Sequence, residues 1–206
     1  MKNYSYLLIA FLFSVGMTAQ DRGSILLDLY GSYTFSDRVD FDGGHATIGD
    51  GFEYGAGLEF FPQKSSSVEI KYLRLDSSMP LYNNLGIQVN SGDDKGAINY
   101  IFLGGNRYFD NGGNAVPYLG GSIGMAIVEP PQQGSQTNFA WEIKAGVKIK
   151  TASIVSINLQ AFLQSMVIHT GNDTYWSGWY GPVSVATYEN SFQFGLGAVI
   201  GFNFKK

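Results

Sequence analysis

The chain has 206 residues, a formal net charge of −4 and no cysteine, which excludes a disulfide framework, a thiolate nucleophile and a cysteine-held metal. So mild a charge also excludes a basic nucleic-acid-binding stripe. Charged residues make up 15% against roughly 25% in ordinary globular domains, while 27 glycines and 15% aromatic residues leave little with which to build a solvated surface.

Residues 1–20, MKNYSYLLIAFLFSVGMTAQ, carry one charge, Lys2, then an apolar run over 6–17, then Thr18, Ala19 and Gln20. The run is about twelve residues, short of the roughly 20 a spanning helix needs, and reads as a cleaved secretory signal peptide. Its removal takes away Lys2 and leaves residues 21–206 as one domain, one charge more negative than the full chain.

Period-two alternation recurs along that domain, and eight strands are predicted. Residues 23–35 set Ile25, Leu27, Leu29, Tyr33 and Phe35 against Asp28, Tyr30, Ser32 and Thr34. Residues 51–61 set Phe52, Tyr54, Ala56, Leu58 and Phe60 against Glu53, Gly55, Gly57 and Glu59, and 67–75 set Val68, Ile70 and Tyr72 against Glu69 and Lys71. Residues 95–109 are apolar on both faces; Ile98, Tyr100 and Phe102 are assigned to the oily side, with Asn99, Gly105 and Arg107 opposite. Residues 116–128 alternate Leu119, Ile123, Met125 and Ile127 with Tyr118, Gly120, Ser122, Gly124 and Ala126. Residues 137–150 alternate Phe139, Trp141, Ile143, Ala145, Val147 and Ile149 with Ala140, Glu142, Lys144, Gly146 and Lys148. Residues 154–168 oppose Val155, Ile157, Leu159, Ala161 and Leu163 to Ser156, Asn158, Gln160 and Gln164. The last strand, 192–204, opposes Phe192, Phe194, Leu196, Ala198, Ile200, Phe202 and Phe204 to glutamine, glycine, valine and asparagine. Long loops at 36–50, 76–94 and 169–189, with a shorter one at 129–136, alternate with tight turns at 62–66, 110–115 and 151–153.

Such a meander closes into an eight-stranded barrel with its oily face either inward, around a ligand, or outward, to lipid. Volume decides. An eight-stranded interior is only wide enough for side chains to fill it, and the oily set holds ten large aromatics, among them Phe35, Phe52, Phe102, Trp141 and Phe194, besides its aliphatics. The oily face therefore points outward, and the lumen holds Asp28, Glu53, Glu59, Glu69 and Glu142 against Lys71, Arg107, Lys144 and Lys148, a charge-paired network that closes the bore. The predicted fold class is an all-β, antiparallel, up-and-down transmembrane β-barrel of eight strands. Its short-turn side lies in the periplasm and its long loops outside the cell.

The chain resembles the small outer-membrane β-barrel family that includes the OmpA transmembrane domain, OmpX and OmpW. The resemblance covers the whole mature chain in strand number and loop rhythm. It is sharpest at residues 116–124, VPYLGGSIG, similar to that family's PY-x-G-x-G-x-G strand, and in a final strand that ends on Phe204, here followed by Lys205 and Lys206. It implies a monomer in the outer membrane of a Gram-negative bacterium, in contact with lipid and lipopolysaccharide and inserted by the barrel-assembly machinery through the strand ending at Phe204. A structural or surface-interaction role is expected, with a narrow pore for small solutes, or a lipid A-modifying enzyme, as alternatives.

Candidate sites are few. Barrel deacylases of lipid A carry H-x-S-N, and HTGN here keeps His169 and Asn172 but has Gly171 where the hydroxyl is needed; Thr170 and Thr174 are the conceivable substitutes. Without an attacking group at that place the covalent chemistry has no nucleophile. The loop DFDGGHATIGD, residues 40–50, starts like a calcium loop but has Gly44 and Gly51 at ligand positions, so it is expected to be a solvated acidic loop with His45 in it. Tyr175, Trp176, Trp179 and Tyr180 in the last long loop are candidates for surface recognition or for the aromatic girdle. No catalytic residue, cofactor, metal or nucleic-acid partner is implied.

Overall fold

The computed structural model describes residues 23–41, 43–90, 94–131, 134–151, 154–177 and 181–204, and none of them is helical. In chain order the strands are β1 (Ile25–Thr34), β2 (Asp37–Phe41), β3 (Gly44–Ile48), β4 (Gly51–Gln63), β5 (Ser66–Ser78), β6 (Leu81–Asn83), β7 (Lys95–Tyr108), β8 (Ala115–Glu129), β9 (Gln136–Lys150), β10 (Val155–Ser177) and β11 (Gly181–Asn203). The expected signal peptide, 1–20, lies outside the described residues.

Eight of these strands close an antiparallel barrel in the order β1-β11-β10-β9-β8-β7-β5-β4. Closure runs through β1, where Asp28 stands opposite Gly57 of β4 on one side and Gly201 of β11 on the other. Every predicted strand is present, and period two sorts the side chains: Phe52, Ile70, Leu103, Ile123, Ile143 and Leu159 are each between 53% and 63% exposed on the outer wall. On the inner wall, glycine makes room. A Cβ on Gly195 of β11 would stand 2.2 Å from Cζ of Phe162, a ring folded across from β10.

One strand faces the other way from its predicted orientation. Ile98, Tyr100 and Phe102 of β7 are buried in the lumen, whereas Ile101 and Leu103 are exposed. Asn99, Gly105 and Arg107 share the outer parity, so Arg107 leaves the lumen set; its guanidinium donates to Ser66 Oγ at 2.8 Å on the outer wall. With both parities apolar, alternation within β7 carries no facing information, and the neighbouring strands settle it. Phe102 stands opposite Lys71 of β5 and Gly124 of β8, both on the inner side, and its ring stacks on Tyr100 with centroids 5.3 Å apart.

Three segments expected as loops contain strands. β2, β3 and β6 form a separate three-stranded sheet at the long-loop end. The stretch expected to be a solvated acidic loop is its hairpin: Asp40 stands opposite His45 and Phe41 opposite Gly44, Gly43 turns the chain at φ 103°, and the Asp40 carboxylate takes the Arg38 guanidinium at 2.7 Å. Val39 and Ile48 are buried beneath this sheet. β10 and β11 also keep pairing past the expected loop boundary at 169, as far as Ser177 opposite Gly181, with a register shift between His169 and Gly171.

Candidate functional site: the lumen and its outer mouth

Charged side chains reach the barrel axis because the inward positions of β4, β5 and β9 carry carboxylates and lysines, with room left by inward glycines such as Gly55 and Gly57 of β4 and Gly146 of β9. Lys71 of β5 donates to both oxygens of Glu142 of β9 at 2.7 and 2.8 Å, and neither side chain is more than 1% exposed. β7 and β8 lie between those two strands in the barrel order, so this pair is a chord across the bore. Lys144 forms a second chord to Glu69 and lies 4.0 Å from Glu142, and Tyr30 donates its hydroxyl to the same Glu69. The Lys71 ammonium also sits 5.3 and 5.5 Å from the ring centroids of Tyr30 and Phe102, where ring quadrupoles favour a cation.

Toward the short-turn end, Glu59 accepts from Ser67 at 2.5 Å, Tyr108 at 2.6 Å, Asn106 at 2.7 Å and Lys148 at 3.4 Å. Lys148 lies 5.0 Å from the Phe61 ring centroid and 5.1 Å from that of Tyr108. Below these, Leu26, Phe61, Tyr108, Val116 and Tyr118 form an apolar and aromatic cluster.

Toward the long-loop end, Glu53 pairs with no lysine among the described residues and is held by Gln164 at 2.9 Å and Ser32 at 3.1 Å. Tyr100 reaches across to Gln193 at 2.9 Å. Above them Leu75, Ile98, Ala126, Ala140 and Met166 pack together with Ile48, which comes down from the loop sheet. The charges are thus sandwiched between two apolar layers, with none of them more than 5% exposed, an arrangement in which buried charge calls for partners inside.

Of the nine residues predicted to form the lumen network, Asp28, Glu53, Glu59, Glu69, Lys71, Glu142, Lys144 and Lys148 are buried in the bore, while Arg107 is outside it. The acids outnumber the lysines. Asp28 carries an oxygen, Oδ1, without a hydrogen-bond partner among the described residues. The side chains of Tyr175 and Trp176, like the residues Trp179 and Tyr180, lie outside those described, as does the side chain of His169. His45 stacks on Tyr82 of β6, with centroids 4.8 Å apart. Parity reasoning already placed Tyr30 inward but gave it no role. The apolar layers escaped it, although Leu73 and Leu75 share the parity of Glu69 and Lys71 and so had a readable signal.

No family model and no curated relative matches the chain. Solved structures do. The Neisserial surface protein A is similar over 87% of this chain and 97% of its own, with a TM-score of 0.56 and 16% identity. The outer membrane protein OprG from Pseudomonas aeruginosa is similar over 89% and 98%, with a TM-score of 0.58 and 12% identity. The outer membrane protein AlkL, solved in lipid bilayers, is similar over 94% and 96%, with a TM-score of 0.53 and 12% identity. At these identities the likeness is one of fold: a closed eight-stranded barrel of the kind that outer-membrane proteins use.

Proposed function

We propose that this chain is an integral outer-membrane protein with a bore closed to solutes and a structural or surface-interaction role, without catalysis. The observation that carries this reading is the pair of chords Lys71–Glu142 and Lys144–Glu69 crossing the lumen between two apolar layers. The outer wall supports the location, because its exposed aliphatic and aromatic belt suits hydrocarbon and a closed sheet leaves no unpaired backbone edge there. The signal-like residues 1–20 support export, and the final strand ending at Phe204 supports insertion by the barrel-assembly machinery. Lipid and lipopolysaccharide are then the molecules that surround a monomer, and the outer end of the β10–β11 hairpin, with Tyr175 and Trp176 in β10 and Trp179 and Tyr180 beyond it in sequence, is the surface offered to others.

Planar-bilayer recording of the purified protein tests the closed bore: no reproducible channel is expected, and a steady ohmic conductance would overturn it. Proteolysis of intact cells tests the location. Cuts confined to the long-loop segments are expected, whereas cuts in the turns at 64–65 or 109–114 would reverse the orientation.

A further inference from the structure

Charge is sorted along the barrel axis. Of the 17 acidic residues, five line the bore, Asp21 and Asp110 adjoin the chain start and a short turn, and the other ten all fall within the segments 36–50, 76–94, 129–136 and 169–189. Those segments hold one basic residue, Arg38, with Arg74 and Lys95 beside them. The short-turn end has the reverse balance: Lys64, Arg107 and Lys150 are described there, Arg22 directly precedes Gly23, and Lys205 and Lys206 directly follow Phe204 in sequence. Asp110, the acid described at that end, is taken by Lys150 at 2.6 Å. Lys64 and Arg107 are neighbours. Lys64 stands exposed between β4 and β5, and Ser66, two residues on, pairs in register with Arg107 of β7 and accepts from its guanidinium at 2.8 Å, which leaves the Ser66 hydroxyl a proton to donate. Arg107 has the outward parity. Around it the wall exposes Val68, Phe109 and Leu119, and Phe60 and Phe204 are exposed at the same end, where aromatic side chains mark the boundary between hydrocarbon and headgroups. An arginine there lays its stem along the oily wall and presents paired donors at the height of lipid phosphates.

We propose that this rim binds the phosphate of an anionic phospholipid, of the phosphatidylglycerol class, in the periplasmic leaflet, with Arg107, Ser66 and Lys64 as donors. The site rests on the membrane location and orientation proposed above. A lipid is favoured over a soluble anion because Arg107 shares its wall with Val68, Leu119 and Phe109, which acyl chains cover while the phosphate meets the guanidinium. The long-loop end, with its excess of acids, repels the same headgroup.

Fluorescence quenching by brominated lipids tests it. Phe109→Trp places a reporter at the rim, and the full barrel is reconstituted in phosphatidylcholine vesicles that contain either brominated phosphatidylglycerol or brominated phosphatidylcholine with the same chains. The difference between the reporter and the parent chain isolates the rim, while the parent's Trp141, two residues from exposed Ile143 on β9, reports contact with lipid of either kind. At the rim a preference for phosphatidylglycerol of about fivefold per basic side chain is expected, the attraction of one lysine or arginine to an anionic headgroup. Arg107→Gln and Lys64→Gln should each lower it about fivefold, and salt at about 0.5 M should weaken it. Lys95→Gln, at an exposed lysine of the other end, should leave it unchanged. Equal quenching by the two lipids at the rim, or a preference that survives Arg107→Gln/Lys64→Gln, would overturn this proposal alone. Absence of quenching in the parent and the reporter alike would overturn the membrane location together with it.

Discussion

Replacing Lys71 by methionine keeps an unbranched apolar stem one atom shorter and removes the ammonium, which leaves Glu142, among the described residues, with Lys144 at 4.0 Å. Breaking a buried ion pair from one side costs about 3–5 kcal/mol, because the abandoned charge stays desolvated. The remaining lysine places Lys71→Met at the low end, about 3 kcal/mol. Glu142→Gln strands Lys71 instead, between the faces of Tyr30 and Phe102, and a similar loss is expected. The double variant Lys71→Met/Glu142→Gln removes both charges and should lie within about 1 kcal/mol of either single variant, well short of their sum. Equilibrium urea unfolding in phospholipid vesicles, followed by tryptophan fluorescence, gives all four free energies of the cycle. Additivity to within about 0.5 kcal/mol would refute the chord as an energetic unit, and with it the reasoning that the bore is sealed by pairing.

The outer wall is tested by Ile143→Arg. Ile143 is exposed midway along β9, and an arginine at the bilayer midplane costs about 2–4 kcal/mol. The same urea assay should show that loss while Ile143→Leu stays near neutral, and a tolerated arginine would mean that this face is wet. Gly195→Ala drives a methyl group toward the Phe162 ring, 2.2 Å from Cζ, and should cost about 1–3 kcal/mol by overpacking. Phe162→Leu in the same chain should restore part of that stability, and failure to do so would place the strain elsewhere.

Most strands are readable because they have one oily and one small or polar face, and β9, from Phe139 to Lys148, states this in every residue. β7 was misread because Ile98, Tyr100, Phe102, Ile101 and Leu103 leave its two faces alike. Its orientation depends on cross-strand neighbours, Lys71 and Gly124, which a single segment does not contain. The loop sheet was missed for a different reason. Strands of five and three residues are too short for a periodic signal, and DFDGGH reads as a loop because of its glycines and aspartates, whereas Asp40 lies in β2 and Gly43 turns the hairpin. Residues 169–177 likewise hold Gly171, Asn172 and Asp173, turn-forming types that here continue a strand whose pairing with β11 is supplied from across the hairpin. Of the lumen, the buried charges were legible from parity, but their pairing was not, since Lys71 and Glu142 meet only through closure.

The hydrogen bonds that cross the bore join residues far apart along the chain, 71 positions for Lys71 and Glu142, 89 for Lys148 and Glu59, and 111 for Gln164 and Glu53. A curled but unfinished sheet would leave these ions bare in a greasy surrounding, so partly built forms gain little until the first and last barrel strands meet. The cylinder should therefore snap shut in one late, concerted step, with slow kinetics of the sort distant contacts impose.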